Sequence, residues 1–300
     1  MTLVTLPFKA ESLRGISAEL EFAEFDASAS AAPPVDTAFW VPPYGANLDF
    51  AQILPTMNKL RVIQTQSAGV DHIIDFVGPP VILCNARGVH DAATSELGVA
   101  LILASLRQIP RLVRAQDRGQ WSQDLSLPSL ADRRVLIVGY GSIGHALERR
   151  LDGFECDITR VARTARDNIH GFGELPQLVP EADVIVLLTP LNFETHHLAD
   201  ADFLGRMKDG ALLVNLGRGP LVDTDALVAE TSTGRISAAI DVTDPEPLPR
   251  GHTLWSLSNV LITPHVGGGT TAMMPRVRRL LAEQLKRFAM DQNLLNVMPR

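Results

Sequence analysis

VLIVGYGSIGHALERRLDGFECDITRVAR, residues 135–163, decides how the chain is read. Four strand-like residues, VLIV, run into Gly139, and HALERRL after Gly144 has the make-up of a helix. Gly139, Gly141 and Gly144 spell GxGxxG. Alone that spacing is a weak signal; between a strand and a helix it is the setting of a dinucleotide-binding turn. In that setting Gly139 permits the tight turn, Gly141 lets backbone approach a pyrophosphate, and Gly144 lets helix and strand pack closely. The amides that open the helix, at Ser142 and Ile143, then face the phosphates.

The far end of the stretch indicates which dinucleotide. A ribose-binding carboxylate is expected at the end of the next strand, about 20 residues on. Here that strand reads as ECDITR (155–160), ending at Arg160, with Arg163 close behind. Asp157 reads as mid-strand, too early to reach the ribose. A guanidinium attracts a 2′-phosphate and offers it a planar fork of donors. NADP is therefore expected over NAD, with NAD possible. The alternative is that both arginines cover the surface beside the adenine, and a hydroxyl of Thr159 or Thr164 serves either cofactor.

The whole chain sets bounds on this reading. Its 300 residues suffice for one long domain or two medium ones. Hydrophobic residues are 46% and charged residues 20%, an ordinary globular mixture. A net charge of -7 argues against a nucleic-acid surface. Cys84 and Cys156 sit in apolar runs and make no disulfide framework. MTLVTLPFKAESLRG lacks the basic start and long apolar core of a signal peptide. LGVALILASL (97–106) is too short to span a membrane. A cytoplasmic protein without membrane or nucleic-acid partners is expected.

LVTL (3–6), TAFWV (37–41), LRVIQT (60–65) and PVILCN (80–85) read as short buried strands separated by helical or loop material, a small parallel α/β unit. ANLDFAQILPTM (46–57) is helix-like, and ELEFAEFDASASAAPP (19–34) is only weakly patterned. Residues 94–118 read as a long helix interrupted near Pro110. A second α/β series follows, with strands at 134–139, 155–160, 184–188, 211–216, 236–240 and 259–263. A last helix at 271–290 repeats Val277, Leu280, Leu281, Leu285 and Phe288 at helical spacing. The expected architecture is two α/β domains with a cleft between them.

Three stretches place reactive side chains just past strands. In VNLGRGPLVDTDAL (214–227), Arg218 lies between two glycines, suited to clamp a carboxylate; a salt bridge is the structural alternative. In DVTDPEPLP (241–249), Asp241 ends a strand and Glu246 sits between prolines. In LITPHVGGGT (261–270), His265 follows a strand and a proline, a candidate for proton transfer near neutral pH. Glu246 is expected to orient its ring and favour its protonated form. His196 and His197 read as lining a helix start, His145 as covering the cofactor helix, and His90, His170 and His252 as loop residues. His72 follows QTQSAGVD, near a possible substrate loop. No group has zinc spacing, so no metal is expected.

Taken in order, VGYGSIG, TPLNFETHHL (189–198), NLGRGPLVDTDAL (215–227), DVTDPEPLP and WSLSNVLITPHVGG (255–268) resemble the motifs of the D-isomer-specific 2-hydroxyacid dehydrogenases, over nearly all of the chain from about residue 35. The resemblance implies two Rossmann-like α/β domains. One is a flavodoxin-like substrate domain, 1–96 completed by 276–300; the other is a doubly wound dinucleotide-binding domain, 97–275. It implies that Arg218 binds the substrate carboxylate and keto oxygen, that His265 donates the proton in reduction, and that Glu246 pairs with it. It puts Asp241 near the nicotinamide amide. It adds Thr189, Pro190, Thr195, Gly267 and Gly268 to the cofactor site, and the amides of Ala68, Gly69 and Val70 to the substrate carboxylate. A homodimer is implied.

Arg160 departs from the acidic residue of many NAD-using members, as in members that prefer NADPH, and the match before residue 35 is weak. The extended N-terminal region of formate dehydrogenases is not matched. Glyoxylate or hydroxypyruvate is the first expected substrate. A bulkier hydrophobic 2-keto acid and a catalytically silent cofactor-binding regulator are the alternatives. Trp40, Pro42, Pro43 and Tyr44 either narrow the substrate site or stabilise a loop, and Trp255 is left without a placed role.

Overall fold

The computed structural model describes residues 1–13, 15, 19–29, 32–123 and 126–299. It divides into two compact units, Met1–His90 with Thr271–Arg300, and Asp91–Thr270. The expected divisions were 96/97 and 275/276. The difference has a local cause. The helix Asp91–Leu106 belongs whole to the second unit and the helix Met273–Ala289 whole to the first. Arg300, the last residue of the expected substrate domain, lies outside the described residues.

The first unit holds a five-stranded sheet of β1 (Thr2–Leu6), β2 (Leu20–Glu24), β3 (Phe39–Trp40), β4 (Val62–Gln64) and β5 (Ile82–Cys84), ordered β2-β1-β3-β4-β5. Every pairing is parallel, and the order is that of flavodoxin-like sheets. β2 emerges from the weakly patterned stretch 19–34, of which residues 30 and 31 lie outside the described residues. Of 46–57, only Phe50–Ile53 is α-helical, followed by a 3₁₀ turn at Leu54–Thr56. Trp40 is fully buried, its ring 6.1 Å from Phe25 and 5.9 Å from Phe50, so it belongs to the core.

The second unit holds β6 (Arg134–Val138), β7 (Asp157–Ala162), β8 (His170–Gly171), β9 (Val184–Leu187), β10 (Leu212–Asn215), β11 (Ser237–Ile240) and β12 (Val260–Ile262). Their order, β12-β11-β10-β9-β6-β7-β8, is wholly parallel. It is the doubly wound order with one strand added beyond the last, and it reverses at β6. β6, β9 and β10 are almost entirely buried apolar residues, as strands covered on both faces must be. The expected long helix is two, Asp91–Leu106 and Ile109–Asp117. They break at Gln108, whose φ is 49°, and Pro110 falls in the first turn of the second, where it costs no hydrogen bond. In the loop that follows, residues 124 and 125 lie outside the described residues.

β7 corrects one expectation. It spans 157–162 rather than 155–160, so Asp157 begins the strand and Arg160 stands inside it, paired with Ile137 of β6. The first residue beyond the strand is Arg163. Among the described residues no helix is long and apolar enough to cross a membrane, and no group of three or more His, Cys, Asp or Glu could hold a metal ion.

Candidate active site

Because the second sheet is parallel, its strands deliver their following loops to one edge. β6 delivers the glycine turn, β9 delivers Thr189, β10 Arg218, β11 Asp241 and Glu246, and β12 His265.

The three glycines of the turn differ in their surroundings. Gly139 has φ 100°, and a Cβ there would lie 2.5 Å from Leu188 C and Thr189 N. Gly144 approaches Gly139 O at 3.1 Å and Ile137 Cγ2 at 3.3 Å, measured from the position of a Cβ. Gly141 is different: nothing lies within 4 Å of where its Cβ would stand. It precedes the helix Ser142–Leu151, which has no side-chain cap. The Ser142 hydroxyl is spent on Asp91 at 3.0 Å. Open space beside an uncapped helix start fits a pyrophosphate. The amides of Gly139 and Tyr140 donate to Val161 O at 2.9 and 2.8 Å, which seats the turn against the end of β7.

The arginines at that end differ in their commitments. Arg160 is half-buried and engages Glu148 with two nitrogens. Arg163 is exposed and makes no ion pair or side-chain hydrogen bond among the described residues. Arg166 Nη2 donates to Tyr140 O in the glycine turn at 3.3 Å.

The loops carrying Glu246 and His265 are tied together at close range. His265 Nδ1 lies 2.6 Å from Glu246 Oε1, with both side chains about two-fifths exposed. That contact leaves His265 Nε2 for proton exchange. His265 has φ 53°, and its amide donates to Asp241 O at 2.7 Å, which holds the backbone in that left-handed conformation. Asp241 is buried. Its carboxylate accepts from Thr263 Oγ1 at 2.6 Å and from the amides of Val266 and Gly267 at 3.0 and 2.8 Å. It therefore builds the histidine turn. Gly267 has no room for a side chain, because a Cβ would meet Asp241 Oδ2 at 2.9 Å.

Arg218 stands between two glycines for the same kind of reason. A Cβ on Gly217 would lie 2.9 Å from Thr189 O, and one on Gly219 would lie 1.9 Å from Thr243 O. The arginine loop thus rests on both the threonine loop and the glutamate loop. Thr224 Oγ1 adds a bond to Asp244 O at 2.8 Å. Asn215, missed in the sequence reading, shapes the turn: its Nδ2 donates to Arg218 O at 2.8 Å and its Oδ1 accepts from Gly217 N at 3.1 Å. A buried polar residue ending the apolar strand LLVN was the available signal.

The other expected residues differ in their surroundings. Thr195 is buried and bonds Pro190 O at 2.7 Å and Asn192 N at 2.9 Å. Thr189 is buried with its hydroxyl unpartnered, while Pro190 is exposed at the edge. Gly268 is half-buried behind Gly267. His145 lies against Arg149 at 2.5 Å, and His196 and His197 stack on each other at 4.0 Å in a turn. Trp255 donates to Pro249 O at 3.0 Å.

In the first unit, Ala68, Gly69 and Val70 lie in the loop after β4. His90 is buried, bonds Gln66 O at 2.7 Å and stacks on Tyr44 at 5.6 Å. His72 lies 6.0 Å from the Phe50 ring, ring to ring.

The sequence pattern of the D-isomer specific 2-hydroxyacid dehydrogenase NAD binding domain matches residues 99–267. A glyoxylate reductase of Thermofilum pendens is 35% identical over 250 residues, 78% of this chain and 74% of that protein. A glyoxylate reductase/hydroxypyruvate reductase of Mus musculus is 36% identical over 242 residues, 76% of this chain and 73% of that protein. Among solved structures, a D-isomer specific 2-hydroxyacid dehydrogenase family protein of Aeromonas salmonicida has a TM-score of 0.84 at 28% identity, covering 99% of this chain and 98% of that one. A D-isomer specific 2-hydroxyacid dehydrogenase of Xanthobacter autotrophicus Py2, solved with NADPH and MES, has a TM-score of 0.81 at 25% identity, over 99% and 98%. With its doubly wound nucleotide sheet and these relatives, the chain belongs to the D-isomer specific 2-hydroxyacid dehydrogenase family.

Proposed function

We propose that the chain reduces a small 2-keto acid, glyoxylate or hydroxypyruvate first, to the D-2-hydroxy acid, with NADPH preferred and NADH possible. The observation that carries this reading is the 2.6 Å contact of His265 with Glu246, on the same sheet edge as Arg218 and the open turn at Gly141. Relatives named for glyoxylate and hydroxypyruvate reduction support the substrate, and the Xanthobacter structure with NADPH supports the cofactor.

When bound, the dihydronicotinamide supplies hydride to C2 of the keto acid. The protein supplies the rest. Arg218 and the amides of Ala68, Gly69 and Val70 take the substrate carboxylate. Arg218 also opposes the negative charge that grows on the carbonyl oxygen. His265 gives that oxygen a proton from Nε2, while Glu246 holds Nδ1 and fixes the ring. The histidine is charged before reduction and neutral before oxidation. Asp241 acts through the turn it builds. Arg163, first beyond β7 and without an ion-pair partner among the described residues, takes the 2′-phosphate, and Arg166, which reaches Tyr140 O in the glycine turn, adds positive charge.

A second reading has one observation behind it. Tyr44 is 43% exposed and stacks on His90 beside the loop that follows β4. That ring is a wall against which a bulkier, hydrophobic 2-keto acid packs. Pairing as a homodimer in the cytoplasm completes the proposal. Ile109 and Val113, exposed one turn apart on one helix, and the 94% exposed Trp121 after it offer an apolar surface for the contact.

Initial rates with NADPH and NADH against glyoxylate, hydroxypyruvate, pyruvate and phenylpyruvate test the proposal, with light scattering for the dimer. Fastest turnover of glyoxylate or hydroxypyruvate with NADPH is expected. Phenylpyruvate as best substrate selects the second reading. Cofactor binding without turnover of any acid overturns both and favours a regulator.

A further inference from the structure

In a planar trans peptide the C=O of one residue and the N–H of the next point in opposite directions. Fixing a carbonyl therefore aims the following amide. Ser67 O accepts from Ala86 N and from Thr65 Oγ1, both at 2.8 Å. Ala68 O accepts from Asn85 Nδ2 at 2.8 Å. Gly69 O accepts from Ser67 Oγ at 2.8 Å. Val70 O accepts from the amides of Ile73 and Ile74 at 3.0 and 2.9 Å. Every carbonyl from 67 to 70 is turned onto the protein's own donors. Among the described residues, the amides of Ala68, Gly69 and Val70 donate to no acceptor. Successive unspent amides opposite satisfied carbonyls form a concavity that favours an anion.

The donors are not equivalent. Ser67 O has two, one of them backbone, and Val70 O has two from the backbone. Ala68 O depends on Asn85 and Gly69 O on Ser67. Asn85 is braced from several sides. Its amide donates to Asn296 O at 3.0 Å, its carbonyl accepts from Gln64 Nε2 at 3.0 Å, and its Oδ1 accepts from Arg87 N at 3.1 Å. The last contact decides which end of the side-chain amide faces Ala68. Gln64 is in turn fully buried and accepts from Gln284 Nε2 at 2.6 Å.

We propose that Asn85 is a positioning residue for substrate binding: it aims the Gly69 amide, as Ser67 aims the Val70 amide, at the substrate carboxylate. This rests on the assignment of that carboxylate to the loop after β4.

The test compares Asn85→Ala and Ser67→Ala with the unaltered protein, reading KM and kcat for glyoxylate, calorimetric binding of oxalate, and the Kd of NADPH. Asn85→Ala is expected to raise the glyoxylate KM and the oxalate Kd together by about tenfold, the value of one hydrogen bond to a charged group. NADPH affinity and kcat stay near their original values. Ser67→Ala moves the same two constants in the same direction. A fall in kcat with KM and oxalate binding unchanged is the mark of a damaged fold and overturns the proposal. So does unchanged KM and oxalate binding. If Asn85→Ala does not fold, Ser67→Ala decides by the same criteria. Oxalate binding is read without turnover, so failure of the proposed reaction in the unaltered protein is a separate result.

Discussion

Arg160 grips Glu148 with two nitrogens: Nε lies 3.0 and 2.9 Å from the two carboxylate oxygens, and Nη2 engages Oε1. The same carboxylate accepts from the Tyr140 hydroxyl, and the guanidinium carbon lies 5.8 Å from the Tyr140 ring centre. Tyr140 is the residue between the first two glycines of the cofactor turn. Arg160 is thus committed to bracing that turn. Under the proposed function, the charge for a 2′-phosphate is therefore assigned to Arg163, with Arg166 as a second candidate.

Cofactor discrimination should separate these roles. Arg163→Ala is expected to lower the NADPH-to-NADH ratio of kcat/KM by about tenfold or more, the scale of a charge-assisted hydrogen bond. Arg160→Ala should weaken both cofactors alike and leave the ratio near its original value. Steady-state rates with both nucleotides at one keto acid measure it. A ratio that collapses in Arg160→Ala and holds in Arg163→Ala returns the phosphate to Arg160.

The same cluster makes a pH-dependent contribution to stability. The hydrogen bond from Arg160 holds the Glu148 carboxyl below its ordinary value, against the opposing effect of burial. A depressed folded value means that the contribution is present above the unfolded value and lost as pH falls through the folded one. Glu148→Gln should therefore lower Tm most at neutral pH. The gap should close as pH drops below about 4, where carboxyls protonate in the unfolded chain. Thermal unfolding of both proteins from pH 7 to acid checks this. A gap that is constant with pH would mean the carboxylate charge contributes nothing.

The sheets, and the strand ends that carry Arg218, Glu246 and His265, were legible for one reason. Buried parallel strands are apolar runs with abrupt ends, and Arg218, Glu246 and His265 stand just past such ends among glycines and prolines. β2 was not legible because it is an edge strand with Leu20 buried and Glu21 and Glu24 exposed, so it shows no apolar run. The end of β7 was misplaced because its register is set by β6 and by the two turn amides on Val161 O, contacts distant in sequence. Asn85, Asn215 and the three bonds to Asp241 escaped for the same reason. A side chain that serves another loop's backbone leaves no spacing to read.

Proton transfer has its own test. His265→Ala should lower kcat by about 10²–10⁴, the usual worth of a positioned acid. NADPH affinity should change little, because the ring bonds Glu246 and not the glycine turn. Glu246→Gln keeps the shape of the contact and loses the charge, so a smaller fall is expected. Single-turnover rates and fluorescence titration of NADPH separate the two effects. Near-normal turnover by His265→Ala would remove it from the chemistry.

The two glycines at the start of the cofactor turn should respond in opposite ways to an added methyl group. At Gly141 the backbone has φ −101°, which alanine adopts, and no atom lies within 4 Å of the new carbon. The cofactor-free fold should tolerate Gly141→Ala with its Tm unchanged. The methyl would stand in the space assigned to the pyrophosphate, so the Kd of NADPH should rise by about tenfold or more, a penalty of about 1.4 kcal/mol. At Gly139 the φ of 100° disfavours any side chain, and the new carbon would lie 2.5 Å from two backbone atoms. Gly139→Ala should lower Tm with or without cofactor. Thermal unfolding without nucleotide, paired with NADPH titration, reads both. Native NADPH affinity in Gly141→Ala would take the pyrophosphate away from this turn, whatever the behaviour of Gly139.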